Sequence, residues 1–114
     1  MSKFDLGNKA KDLVKHTFLM TSNKKRYPPK YIPLIQHIQN CSMDILENIH
    51  AANSLDERIL LQTKAIRDCD KLSTYIELSM NLNRIGSDTA CCWQSKIGDV
   101  KYMTIRWRDS DEKR

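Results

Sequence analysis

CCWQSKIGDVKYMTIRW, residues 91–107, contains both tryptophans of the chain. Five of its residues recur at steps of four, three, four and three, the spacing that lines up side chains along one face of an α-helix: Trp93, Ile97, Val100, Thr104 and Trp107. The two indoles either complete the core of the chain or belong to a binding surface. Because no other stripe of this helix is apolar enough to meet a core, we predict that both are mainly core residues.

Composition favours one soluble domain with a polyanionic partner. The 114 residues suffice for a single core but not for two domains, and 40% hydrophobic with 29% charged residues is typical of a globular protein rather than a disordered one. The formal charge of +5 favours nucleic acid, an anionic membrane or an acidic protein as partner, without separating these three.

Nothing in the sequence predicts export or a membrane span. No apolar run approaches the ~20 residues that cross a bilayer, and the first residues lack the apolar segment of a secretory signal, so we expect a cytoplasmic protein. Cys41 and Cys69 fall on apolar helical faces, and Cys91 and Cys92 are adjacent, which fits neither a disulfide framework nor a metal site. We expect four reduced thiols that behave as small buried hydrophobes.

The periodicity predicts four helices, at about residues 5–22, 31–53, 55–85 and 88–108, followed by a charged tail that frays at 109–114. The first ends before the basic, proline-containing run SNKKRYPPK, and the second tolerates Pro33 in its first turn. Ser54 and Glu57 read as a capping box for the third helix, Gly86 as its stop, and Ser87 or Asp88 as the cap of the fourth.

Each predicted helix has one inward stripe. These are Leu6, Ala10, Leu13, Val14, Thr17, Phe18 and Thr21 on the first; Leu34, Ile35, Ile38, Cys41, Ser42, Ile45, Ile49 and Ala52 on the second; and Ile59, Ile66, Cys69, Leu72, Ser73, Ile76 and Met80 on the third. Four amphipathic helices with short connections and no strand pattern predict an all-α, up-down four-helix bundle in a single domain, residues 1–114.

The sequence does not predict an active site, a metal or another cofactor. Glu47-x-x-His50 matches half of a di-metal motif, but no second copy exists, and Glu47 lies about 200° from the inward stripe of its helix. His16, His37 and His50 are scattered, and no glycine-rich phosphate loop is present. A non-catalytic binding role is therefore the default.

The third helix carries a second occupied face. Lys64, Arg67 and Lys71 lie on its outer side, where they either contact a polyanion or form a solvated face paired with Asp68 and Asp70. Apolar and aromatic residues on the outer sides of the last two helices predict an oligomer interface: Leu60, Tyr75, Leu78, Tyr102 and Ile105.

The order of segments resembles a family of small four-helix-bundle proteins. The likeness lies in a lysine-rich first helix that runs into KKRY, in IQNCSMDILENIHAAN of the second helix, in a long third helix and in W-x6-V-x2-M-x3-W from Trp93 to Trp107. The family includes Avd, the accessory variability determinant of diversity-generating retroelements, and proteins encoded by intervening sequences of bacterial 23S ribosomal RNA genes. Relatives often carry an acidic residue shortly after Asn-Ile of the second helix, whereas Asn48-Ile49 is followed here by His50-Ala51-Ala52.

The resemblance implies a barrel-like homopentamer with a basic surface. In the retroelement branch, which the charge and the tryptophan helix favour, the barrel binds the reverse transcriptase and nucleic acid, both RNA and DNA, and supports error-prone copying of template RNA into cDNA. Polymerase chemistry and its metal ions would belong to the partner. The alternative is a protein-interaction scaffold of the ribosomal branch that has no role with nucleic acid.

A sequence-independent electrostatic mechanism would use cations of the last two helices. The predicted nucleic-acid contacts are Lys64, Arg67 and Lys71, then Arg84, Lys96, Lys101, Arg106 and Arg108, with Lys24, Lys25 and Arg26 as weaker candidates.

Overall fold

The computed structural model describes residues 3–54 and 57–113. It contains α1 (Lys3–Thr21), α2 (Ile32–Ala52), α3 (Arg58–Asn81) and α4 (Ser87–Glu112), with a 3-10 turn at Pro29–Tyr31. No strand occurs in the described part of the chain, so the prediction of an all-α four-helix bundle is confirmed. Each helix packs against the next along the chain, and α4 closes the ring against α1, in a body of 48 × 23 × 19 Å.

Helix α2 is buried along the predicted stripe. Its buried residues are Ile38, Cys41, Ser42, Ile45, Ile49 and Ala52, while Leu34 and Ile35 pack against the edge of the core. Pro33 lies in the first turn, where the amide that it lacks would have no helical acceptor. The apolar periodicity of this segment therefore predicted both its length and its orientation.

Trp93 is the largest fully buried side chain among the described residues. It is fully buried, and its indole Nε1 donates a hydrogen bond of 3.2 Å to the hydroxyl of Thr17 on α1. The same hydroxyl donates to the carbonyl of Leu13 at 2.8 Å, so both polar groups are satisfied inside the core. The core prediction is confirmed for Trp93 but holds only in part for Trp107, which is half-buried at the core's edge.

Two predicted core positions of the first helix are less enclosed. Phe18 is exposed and Val14 is half-buried, whereas Leu6, Ala10 and Leu13 are buried as predicted. The inward face of α1 is thus narrower than its apolar stripe.

The inward face of α3 is turned away from the predicted one. Its buried residues are Gln62, Ala65, Cys69, Leu72, Ile76 and Ser79. The prediction is wrong for Ile59, which is 41% exposed, and for Met80, which is 36% exposed; Ile66 and Ser73 are only half-buried. The physical reason lies in a polar partner: the side-chain amide of Gln62 donates a 2.7 Å hydrogen bond to Asp111 of α4, which allows a glutamine to occupy a core position.

The ends of α3 also differ from prediction. Glu57 precedes the first helical residue and no side-chain hydrogen bond caps it, so the predicted capping box is wrong; the predicted start at 55 lies outside the described residues. The helix ends at Asn81, four residues before the predicted 85. Asn83 adopts a left-handed φ of 59°, and the amide of Arg84 donates to the carbonyl of Ser79 at 2.9 Å, the hydrogen bond of a Schellman motif.

Helix α4 is longer at both ends than predicted. Gly86 is its N-cap in place of Ser87 or Asp88, and the helix continues to Glu112 instead of fraying after 108. Asp111 explains the extension, because its carboxylate accepts hydrogen bonds from Gln62 at 2.7 Å and from Arg58 at 3.4 Å. Residues of the predicted tail thereby tie α4 to the start of α3.

Candidate nucleic-acid interface

The outer face of α3 presents three cations to solvent. Lys64, Arg67 and Lys71 are exposed, and the ion pairs among the described residues join other side chains. Steps of three and four residues hold them on one face, with Lys64 and Lys71 about 10 Å apart along the helix axis. We call these three residues the α3 stripe.

The carboxylates that could neutralise the α3 stripe are engaged elsewhere. Asp68 accepts a 2.9 Å hydrogen bond from Asn48 of α2, and Asp70 forms an ion pair of 2.5 Å with Lys101 of α4. Burial, followed by the charge of Asp44, raises the pKa of Asp68 above its ordinary value, while Lys71, the hydrogen bond from Asn48 and Arg67 act in the opposite direction. The geometry therefore favours an available cationic stripe over the alternative of a face paired within its own helix.

The predicted contacts on α4 are mostly bound within the bundle. Lys96 pairs with Asp12 of α1 at 3.0 Å, and this hydrogen bond is the main cause of a lowered pKa at Asp12 and a raised pKa at Lys96. Arg108 lies 3.9 Å from Glu112 and donates to the hydroxyl of Thr63 at 3.4 Å. Together with Lys101, these side chains connect α4 to its neighbours.

Two further arginines lie over tyrosine rings. The guanidinium of Arg84 is 4.7 Å from the ring centroid of Tyr31 and donates to the backbone carbonyls of Leu82 and Arg26. Arg106 is exposed and lies 5.6 Å from the ring centroid of Tyr102. Arg84 thus holds the turn between α3 and α4, while Arg106 keeps its charge at the surface.

The predicted interface residues divide into two sets. Leu60, Leu78 and Tyr102 are 50%, 42% and 60% exposed, and the two leucines, about five turns apart, lie on one line with the α3 stripe between them. Tyr75 and Ile105 are only half-buried, and the ring of Tyr75 is 5.7 Å from that of His37.

One basic region, which includes the weaker candidates Lys24, Lys25 and Arg26, lies at an end of the bundle. The segments 22–31 and 82–88 meet at one end of the bundle and carry five cations and one carboxylate. Asn23 orders the basic run, since its side chain accepts from the amides of Lys25 and Arg26 at 3.0 and 3.3 Å, and Tyr27 anchors it in the core. The sequence feature that predicts an ordered basic segment here is Tyr27, an aromatic residue between a basic run and a double proline.

The four cysteines are free thiols in two different settings. Burial raises the pKa of Cys41 to about 11 and that of Cys69 to about 12, so both are poor nucleophiles at neutral pH. Cys91 and Cys92 are exposed, which makes the expectation of burial wrong for this pair because both fall on the solvent side of the first turns of α4.

The Glu-x-x-His pair lies at the surface. Glu47 is exposed, as its angle on the helix predicted, and so is His50. Within the described residues, no group of three histidine, cysteine or carboxylate side chains could hold a metal ion.

Comparison of the chain with protein-family models, with curated proteins and with solved structures finds no match. Of the described helices, none combines the length and the apolarity that a bilayer crossing requires.

Proposed function

We propose that this chain is a non-catalytic, sequence-independent nucleic-acid-binding protein that serves a reverse transcriptase in mutagenic copying of template RNA into cDNA. The observation that carries the nucleic-acid part is the α3 stripe, three exposed cations whose neighbouring carboxylates are engaged by other helices. The retroelement part rests on the family resemblance of the sequence.

The mechanism is the exchange of counterions for side chains. A cation that neutralises a backbone phosphate releases condensed counterions, which provides affinity without reading the bases. Lysine and arginine both serve this purpose, and Arg67 adds a planar guanidinium that binds phosphate through two hydrogen bonds. A further set of cations extends the basic surface beyond the stripe: Arg106 on α4, and Lys24, Lys25 and Lys30 at the end of the bundle.

Assembly into a closed homo-oligomer, with a pentamer as the expected form, belongs to the same proposal. Leu60 and Leu78 leave apolar area on the outer face of α3, and Tyr102 does so on α4. A ring of identical subunits that covers this area and leaves the α3 stripe between the two leucines accessible would repeat the basic surface around one axis. Native mass spectrometry at micromolar concentration measures the number of subunits, and a purely monomeric spectrum would remove this part of the proposal.

A gel-shift titration tests nucleic-acid binding directly. Single-stranded RNA and single-stranded DNA of unrelated sequences are titrated with the protein at 50 and 200 mM salt. We expect binding of every sequence, with affinity that falls steeply at the higher salt concentration. A protein that retains neither RNA nor DNA at the lower salt concentration would contradict the proposal.

A protein-interaction scaffold is the second candidate. The exposure of Leu60, Leu78 and Tyr102 favours it, because these side chains suit a protein partner as well as a second subunit. This candidate predicts a closed oligomer or a protein complex whose stability changes little with salt, together with no retention of nucleic acid.

A further inference from the structure

A cavity of about 150 Å³ lies at the end of the bundle opposite the basic segments 22–31 and 82–88. It is bounded by the first half of α1, the end of α2 and the end of α4. Its lining includes Trp107, the one tryptophan that the core encloses only in part. The cavity is separate from the α3 stripe, because no residue of α3 lines it among those described.

The inner wall of the cavity is apolar and open. Trp107 packs against the core, and Ile49 beside it is buried. Gly7 contributes space, since a Cβ built at this position would meet no atom within 4 Å. An indole ring in the lining, beside a glycine position with room for further atoms, suits a flat ring better than a branched aliphatic group.

The rim of the cavity is polar and cationic. Asn8 and Lys11 come from α1, His50 from the last turn of α2 and Asn53 from the residue that caps this helix, and all four are exposed. On each helix the lining residues follow the steps i, i+1 and i+4, which keep them on one face. Lys11 takes part in none of the ion pairs among the described residues.

Charge distinguishes this cavity from its neighbours. None of its described lining residues is acidic, whereas Asp5 and Asp12 line a second cavity and Asp109 lines a third. A carboxylate at the rim would repel a phosphate, and here the rim offers the Lys11 ammonium instead.

We propose that this cavity binds one unstacked base of a single-stranded nucleic acid. The base would lie against the indole of Trp107, its edge would meet the amides of Asn8 and Asn53, and its phosphate would meet Lys11 and His50. Stacking on an aromatic side chain tolerates any base, which agrees with binding that is independent of sequence. The volume admits a single planar heterocycle, since pockets for drug-sized ligands are about 300–1,000 Å³. This inference rests on the proposed function and deepens it, because it specifies a single strand as the ligand.

The experiment uses Trp107 as its own reporter. In a Trp93→Phe variant, Trp107 is the remaining tryptophan, and its emission is followed during titration with adenosine 5′-monophosphate, uridine 5′-monophosphate, ribose 5-phosphate and inorganic phosphate. We expect saturable quenching by both nucleotides and none by the two probes that lack a base. Calorimetry with the unmodified protein gives the same ranking of ligands without altering the core.

Matched variants locate the site. Lys11→Glu should weaken nucleotide binding at least tenfold, whereas Lys15→Glu, an exposed lysine one turn away and outside the lining, should leave it unchanged within twofold. Trp107→Leu, followed by calorimetry, should weaken it roughly 5- to 150-fold, the range of stacking on an aromatic side chain. Circular dichroism confirms that each variant is folded.

The outcomes separate this inference from the proposed function. Absence of saturable nucleotide binding up to about 10 mM in the folded proteins would overturn the base site, even if the protein shifts RNA in the gel. Ribose 5-phosphate that binds as tightly as the nucleotides would overturn it as well. In a variant with Lys64→Glu, Arg67→Glu and Lys71→Glu, nucleotide binding that persists would support the site whether or not the variant still binds RNA in the gel-shift assay. Loss of both nucleotide binding and RNA binding in this variant, while it stays folded, would place the nucleotide on α3 and overturn the base site.

Discussion

Helices α3 and α4 each carry four cationic side chains, but the two helices use them differently. On α3, the three residues of the stripe point to solvent, and within the described residues only Arg58 is in an ion pair. On α4, three of the four hold the bundle together through carboxylates or hydroxyls, and only Arg106 lacks such a partner in the described chain.

The difference lies in which helix supplies the carboxylates. Asp12 on α1 and Asp70 on α3 both face α4, so the cations of α4 find partners within the fold. Among the described residues, no ion pair joins Lys64, Arg67 or Lys71 to another helix. The number of cations available to an external polyanion is therefore smaller than the number in the sequence. The cations that pair with carboxylates of neighbouring helices have to be subtracted first.

The largest expected effect contrasts large apolar residues of the two helices. Trp93→Ala on α4 should lower the free energy of unfolding by roughly 3–5 kcal/mol, because the substitution leaves a cavity in the core and removes the hydrogen bond to Thr17. Leu60→Ala on α3 should change the stability of the isolated subunit by less than about 0.5 kcal/mol, since half of its surface is already exposed. Urea unfolding measures both.

Measurement of the assembled fraction provides the control for this pair of variants. If Leu60 lies in a subunit interface, Leu60→Ala should reduce the assembled fraction in native mass spectrometry while the subunit stays folded. Similar losses of subunit stability in the two variants would show that Leu60 is as enclosed as Trp93, and would contradict an exposed outer face of α3.

The next effect concerns affinity for nucleic acid. Reversal of the α3 stripe, with Lys64→Glu, Arg67→Glu and Lys71→Glu, should lower affinity for every RNA and DNA sequence by about a hundredfold or more at 0.1 M salt. The slope of log K against log salt should shrink by about 0.7–0.9 for each phosphate that the variant no longer neutralises. The fold should persist, because glutamate favours helix and none of the three side chains is buried.

A matched variant on α4 gives the opposite pattern. Lys96→Glu with Lys101→Glu changes the charge by four units, against six for reversal of the stripe, but should leave the salt slope close to that of the unmodified protein. It should instead lower the free energy of unfolding by about 0.4–2 kcal/mol, because two ion pairs between helices are removed and like charges face each other. Equal losses of affinity in the two variants would show that pairing within the fold does not withdraw a cation from the binding surface.

The sequence predicted α2 better than α3 for a physical reason. Apolar residues of α2 occur mostly on its buried face, so their spacing marks its orientation. On α3, Ile59, Leu60 and Leu78 are exposed, and the polar residues Gln62 and Ser79 occupy core positions. Burial of Gln62 depends on Asp111, which is almost fifty positions away and belongs to a segment predicted to fray.

The candidate site was also predictable only where local helical spacing decides the outcome. The helical angle alone placed Lys64, Arg67 and Lys71 on the outer side of α3, and they are exposed there. The engagement of Lys96 and Lys101 was not predictable, because their partners lie on other helices whose facing depends on the packing of the whole bundle. The cavity beside Trp107 was hidden for the same reason, since it exists only where three helices meet.

The smallest expected effect uses pH to compare Lys96 with a cation of the α3 stripe. His16 on α1 is half-buried, with its ring 5.7 Å from that of Trp93. Burial is the main cause of its lowered pKa, and the charge of Lys96 lowers the pKa further, while Asp12 acts in the opposite direction. Since the folded state disfavours the protonated ring, stability is complete above the ordinary histidine pKa of 6.5 and declines as pH falls from there through the lowered value.

Lys96→Gln removes a like charge and releases Asp12 from its ion pair, so the pKa of His16 should rise toward its ordinary value and the loss of stability in mild acid should diminish. Lys71→Gln should leave the pKa of His16 unchanged, because an exposed charge on the outer side of α3 is screened by salt. Proton NMR titration of the histidine ring measures both values. An unchanged pKa in Lys96→Gln would mean that burial beside Trp93 alone sets the pKa of His16, and a shift in Lys71→Gln would mean that the charges of the stripe reach the interior of the bundle.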